Sequence, residues 1–197
     1  MTRLGGGHYR CDMSVRSLPE SSNPFLSGNL APVDKEITAF DLKVTGQIPP
    51  ELNGRYLRNG PNPMNDIDPD THHWFIGDGM VHGVRLREGK AEWYRNRWVR
   101  SAKVAQALGE SVPPTDWPMG HMDSAANTNV IGHAGRTFAI VEAGGPPIEL
   151  GFELDTIRAS NFEGTLPQAF SAHPKRDPRT GELHAMAYWW GWGNQVQ

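Results

Sequence analysis

The sequence predicts an all-β fold of antiparallel hairpins with short helical insertions, and three observations carry that prediction. Glycine (22 residues) and proline (16) punctuate the whole chain. The short runs between them are rich in Val, Ile, Tyr, Phe and Trp, which favour strands over helices. Three hairpins, MVHGVRL–REGK–AEWYRNRWV, NTNVIG–HAGR–TFAIVEAG and AFSAHP–KRDPRTGE–LHAMAYWW, each turn on a glycine. Those glycines, Gly89, Gly135 and Gly181, are evenly spaced at 46 residues (135 − 89 and 181 − 135). A period of ~40–50 residues flanked by antiparallel strands is the length of one propeller blade, which would give about three to four blades. Three unrelated turns in a glycine-rich chain would show the same spacing by chance, and both readings stand at this point.

Taken in order, residues 1–22 mix Gly, Ser, Arg and Pro without apolar periodicity and read as a flexible leader, with structure expected from Asn23. RNGPNP (58–63) combines two prolines with Asn and Gly and predicts a turn. His72 and His73 are placed at a strand start beside Trp74. GDGM (77–80) has no Lys-Ser/Thr after it and no helix opening behind it, so it predicts a tight turn into a strand and not a phosphate loop. Residues 101–108, SAKVAQAL, predict the one clear helix, with Ser101 as N-cap and Gly109 as its stop. Asp177, Thr180 and Gly181 form a DPxTG turn whose short side chains bond their own backbone. A propeller does not close on three to four blades, so the sequence reads as part of a longer protein.

Composition narrows the class. With 38% hydrophobic residues, 9% aromatics and a mean hydropathy of −0.54, the chain can bury a core. No run approaches the ~20 apolar residues of a membrane-spanning helix. The start shows no apolar secretory stretch behind its basic residues, and the single cysteine, Cys11, fits a reducing compartment, so a cytoplasmic protein is expected. A net charge of −3 and a pI near 6.2 give no electrostatic case for nucleic acid. A neutral or apolar partner is expected.

Eight histidines are present, at 8, 72, 73, 82, 121, 133, 173 and 184. None forms an HExxH pair and there is no CxxC, so a self-contained zinc site is not predicted. His173 stands apart. It follows the small residues Ser171 and Ala172 on an expected strand and precedes Pro174, which lacks a backbone donor and ends the ladder. That setting projects an imidazole from a strand end.

The string SAHPKRDPRTGELHA resembles the first-histidine motif of the carotenoid cleavage oxygenase family, which includes the lignostilbene dioxygenases. NPFLSGNLAPV, IPPELNGRYLRNGPNP, HHWFIGDGMVHGV, WYRNRWVRS and ANTNVIGHAGRTFAIVEAG agree with it in order and spacing, from about Asn23 to the last residue. The resemblance implies a seven-bladed β-propeller, of which residues 23–197 are the N-terminal part, with iron(II) on its axis held by four histidines. It makes His173 the first ligand and places the other three beyond Gln197. It makes Glu142, in VEAGG, a carboxylate that orients one of those histidines; without the family, Glu142 reads as an exposed strand-end acid. It implies oxidative cleavage, with dioxygen, of a conjugated double bond in an apolar polyene, by an enzyme of which the 197 residues alone would be inactive.

Trp74, Phe75, Trp93, Trp98, Trp117 and Trp189 then either line a substrate tunnel or pack blades, and strand aromatics are more often core. Stilbene-cleaving members typically carry a lysine before the glutamate and a tyrosine nearby. The corresponding positions are read here as Val141 and Trp98, which favours a carotenoid or apocarotenoid over a stilbene. A retinoid isomerohydrolase and a non-catalytic propeller fragment are the remaining readings. Peripheral membrane contact stays open, since the alternation in LAPVDKEITAF is too weak to identify a patch.

Overall fold

The computed structural model describes residues 23–64, 67–117, 123–166, 169–193 and 195–196. The leader read over residues 1–22, with Cys11 and His8, lies outside them, as does His121. Strands β1 (Thr38–Phe40), β2 (Gly54–Pro61), β3 (Gly79–Arg87) and β4 (Lys90–Trp98) form an antiparallel sheet in the order β1-β4-β3-β2. Strands β5 (Asn129–His133), β6 (Arg136–Ile140), β7 (Ile148–Leu150) and β8 (Thr156–Ala159) form a second, in sequence order. A ribbon of β9 (Lys175–Arg176) and β10 (Leu183–His184) follows. The described residues thus make two four-stranded sheets and a two-stranded ribbon.

The first two predicted hairpins form for the expected reason. Glu88 and Gly89 have φ of 49° and 74°, and Ala134 and Gly135 have 47° and 75°. Two residues at positive φ make the turn whose twist matches that of the flanking strands. The even glycine spacing, however, does not mark a repeating unit. Gly89 joins β3 to β4, the two central strands of its sheet, whereas Gly135 joins the edge strand β5 to β6. The first sheet takes its outer strand, β1, from upstream of the other three, so its hairpins are one strand out of phase with those of the second. The spacing is a coincidence of length.

Three other expectations change. RNGPNP is mostly strand: residues 58–61 end β2 and pair with 79–82 of β3. His72 and His73 lie in the loop before β3, not at a strand start. Residues 169–174 form no ladder; Ala169, Phe170 and Ala172 are buried by side-chain packing, and Pro174 cannot donate. GDGM does lead into a strand, and its glycines are needed for close approach. A Cβ on Gly79 would collide with the Ala125 carbonyl oxygen and stand 2.6 Å from that of Ala126. The helix is α1 (Ala102–Ala107), shorter than its predicted span by a residue at the C-terminal end. Ser101 Oγ accepts from Val104 N at 3.1 Å, as an N-cap should, and the Asp123 carboxylate accepts from the amides of Ala102 and Lys103.

The core lies between the two sheets and on their outer faces. Val81, Val99, Ala126, Ala139, Ile148, Leu150 and Leu154 pack together from both sheets. Met80, Trp98 and Val104 fix α1 to the first. The period-two alternation of β6 sends Ala139 to that shared core and Phe138 and Ile140 to the opposite face, where they meet Phe170. The Arg55 guanidinium bridges the sheets, donating to the carbonyls of Gly151 (3.1 Å) and Phe152 (2.7 Å) and to Thr137 Oγ1 (2.6 Å). Among the described residues no helix is long and apolar enough to cross a membrane.

Candidate metal centre

The register of the second sheet brings the two predicted site residues to one end of it. Asn129, the first residue of β5, pairs with Ile140, the last of β6. Glu142 follows Ile140 by two residues. Asn129 Nδ2 donates to the carbonyl of Ala172 at 3.1 Å, and His173 is the next residue.

His173 is exposed, although the chain entering it is not: Phe170 and Ala172 are buried. Phe170 packs edge-on against Phe162, with centroids 5.2 Å apart, and Phe162 in turn against Phe138 at 5.0 Å. The backbone N–H of His173 donates to Ser171 Oγ at 3.2 Å. Beyond Pro174, the Arg176 guanidinium donates to the carbonyl of Gly132 on β5. The segment is held from both sides, while the imidazole has no hydrogen-bond partner among the described residues.

Glu142 lies in a tight turn where Ala143 (φ 62°) and Gly144 (φ 98°) are both left-handed. A Cβ on Gly144 would stand 2.9 Å from Trp189 Nε1 and collide with the indole ring, and one on Gly145 would stand 2.7 Å from Ser124 Oγ. The turn is wedged between these side chains, and Glu142 is half-buried as a result. Its Oε2 is shut off from water with no hydrogen-bond partner among the described residues. The exposed strand-end acid is therefore not what forms. An unpaired buried carboxylate oxygen costs about 1–3 kcal/mol or more, so a donor reaching it would be stabilising.

No hydrogen bond joins His173 to Glu142. Among the described residues no three His, Cys, Asp or Glu side chains converge as a metal-binding group. The remaining described histidines have other surroundings. His82 is half-buried within the first sheet, with Nδ1 2.8 Å from the Tyr94 hydroxyl. Desolvation, and then the nearby Arg58 guanidinium, push its pKa down to about 4. The His73 ring lies between Phe25, tilted against it, and Phe75, edge-on to it, with centroids 5.0 Å from each.

Of the aromatics, Trp93, Trp98 and Trp117 are core, and Trp74 and Phe75 are exposed. Trp98 donates its Nε1–H to the Asn62 carbonyl at 2.9 Å within the core. Val141, beside Glu142, remains partly buried and apolar.

Asn129 and Asn59 were not foreseen. Asn59, on β2, donates through Nδ2 to the carbonyls of Ala126 (2.6 Å) and Asn129 (3.0 Å). Asparagine is depleted in strands, so its presence in runs otherwise fit for β6-like neighbours is the signal that could have found them.

Comparison with known proteins shows the family. The family model for retinal pigment epithelial membrane protein matches residues 30–196. The chain belongs to that family, which is also that of the carotenoid cleavage oxygenases. A carotenoid cleavage oxygenase of Mycobacterium tuberculosis is 56% identical over 94% of this chain. The chain spans 37% of that relative's length. The lignostilbene dioxygenase of Pseudomonas brassicacearum superimposes with a TM-score of 0.71 at 31% identity, over 87% of this chain and 38% of its own. A cobalt-substituted apocarotenoid oxygenase of Synechocystis matches with a TM-score of 0.57 at 26% identity, over 77% and 36%. The family thus includes metal-bearing oxygenases with which this chain shares its sheets.

Proposed function

We propose that residues 23–197 are the N-terminal part of a seven-bladed propeller enzyme, an iron(II) dioxygenase that cleaves a conjugated C=C bond of a carotenoid or apocarotenoid with O2. The observation that supports this reading is that Glu142 Oε2, just past the end of β6, is shut off from water with no hydrogen-bond partner among the described residues, while the segment carrying His173 is tied through Asn129 to β5 at the same end of the sheet. His173 would hold the metal through a neutral ring nitrogen, a donor suited to iron. Glu142 would accept the N–H of a second ligand histidine contributed from beyond Gln197, fixing that ring's tautomer and orientation. When bound, iron(II) would supply activation of dioxygen for scission of the double bond into two carbonyl products.

The chain's own residues provide position and dryness. Trp189 and Ser124 press on the Gly144–Gly145 turn that follows Glu142, and Glu142 Oε2 itself is shut off from water. Val141 offers no cation to a phenolic hydroxyl, which favours an apolar polyene over a hydroxystilbene.

Iron content after anaerobic Fe(II) reconstitution tests the reading, measured on these 197 residues and on the same gene read through its natural continuation. About one iron in the longer form, none in the shorter, and loss on His173→Ala are expected. Iron retained by His173→Ala would remove the residue from the site. A longer form that binds no iron would leave a polyene-binding propeller without catalysis. Comparable turnover of a 4-hydroxystilbene and a carotenoid by the longer form would overturn the substrate preference alone.

A further inference from the structure

We infer that Asn129 is the positioning residue for His173, and that Asn59 completes a chain of carboxamide bonds tying three neighbouring segments together at the metal end of the sheets. The inference rests on the reading of His173 as a ligand. Asn129 is oriented by its own strand, since its Oδ1 accepts from Val130 N at 2.8 Å. That bond leaves the amide nitrogen to point away, where it reaches the Ala172 carbonyl at 3.1 Å. Asn59, from β2 of the other sheet, holds the backbone of Asn129 itself, at 3.0 Å, and that of Ala126.

The consequence falls on a single peptide unit. The peptide between Ala172 and His173 is planar, so its carbonyl and its N–H turn together. Its carbonyl is held by Asn129 and its N–H by Ser171 Oγ. Ala172 is fully buried, which prevents the plane from sliding. The Cα of His173 is thereby fixed relative to β5, and so to the Glu142 turn, which leaves β6 at the same end. A ligand that must meet other ligands at one metal needs this fixing. A surface histidine does not, and the bond runs from a side chain whose strand neighbours already satisfy the ladder.

The test uses Co(II) as probe on the longer form of the protein, read by titration and by the shape of the visible d–d band. Asn129→Asp keeps the acceptor for Val130 N and the size of the side chain but removes the donor to Ala172. Asn62→Asp is the matched control: Asn62 makes the same kind of paired bond, to Val33 N and Val33 O, and bonds no residue of 169–174. Asn129→Asp is expected to weaken Co(II) binding about 10–100-fold and to alter the band. Asn62→Asp is expected to lower the thermal midpoint of the metal-free protein while leaving Co(II) affinity unchanged. Equal loss of Co(II) affinity in both variants, or none in Asn129→Asp, overturns the inference. Should Asn129→Asp fail to fold, Asn129→Ser, which retains a shorter donor, must show the weakened binding and altered band instead. His173→Ala separates the two claims: Co(II) binding that survives it defeats the ligand reading, whereas binding lost in His173→Ala but untouched in Asn129→Asp defeats only the positioning role.

Discussion

At His82 the fold holds an imidazole neutral, with Tyr94 against its Nδ1 and Arg58 directly opposite on β2. Its folded pKa of about 4 lies below the ordinary value of 6.5. Between those values the unfolded chain binds more protons, so stability rises with pH. The contribution is complete above about pH 6.5 and is lost as pH falls toward 4, roughly 2–3 kcal/mol in all. Urea unfolding at pH 7 and pH 4.5 should show that fall, and His82→Gln should flatten it. Equal pH slopes for the two proteins would mean that other groups set the acid limit. Under the proposed function, Glu142 would give its buried oxygen to a ligand histidine. Glu142→Gln should weaken Fe(II) binding by the longer form about 10–100-fold, since a carboxamide orients an imidazole less strongly than a carboxylate.

Among the elements, β3 begins where backbone meets backbone. Gly79 N donates to the Ala125 carbonyl at 2.8 Å, and no side chain fits between. Gly79→Ala should therefore destabilise the protein by about 1–3 kcal/mol or more, read as a lower urea midpoint, whereas Ala at Gly60, with open space around it, should cost far less. The turn chemistry of Glu88–Gly89 and Ala134–Gly135, the cap at Ser101 and the DPxTG turn were all legible in the sequence, because each is decided by a few adjacent residues. Asp177 Oδ1 accepts from the amides of Arg179 and Thr180, as that motif dictates, and those bonds hold its pKa down. The phase of the hairpins was not legible. It depends on β1 crossing to the far side of β4, a pairing with Arg95, Tyr94 and Trp93 that no local pattern encodes. RNGPNP misled for a related reason: its proline and glycine sit at a strand end whose partner is some twenty residues further on.

For the whole molecule, docking of the sheets runs through Arg55, whose fork reaches three acceptors of the second sheet and lies over the Phe152 ring at 4.4 Å. Arg55→Met should leave those acceptors unpaired and lower stability by about 2–3 kcal/mol, measured by thermal or urea unfolding. The site divides in the same way as the fold. His173 and Glu142 could be named from the residues beside them once the family resemblance was in view, but their common end of the sheet comes from register, and Asn59 and Asn129 matter only because three distant segments meet. The order in which the strands are joined has a further consequence, for synthesis. Among the described residues, the first sheet draws its strands from residues 38–98 and the second from 129–159. Each can close as soon as its last strand leaves the ribosome, with no need of chain still untranslated. The nascent protein can therefore assemble vectorially, one sheet serving as the template on which the next condenses.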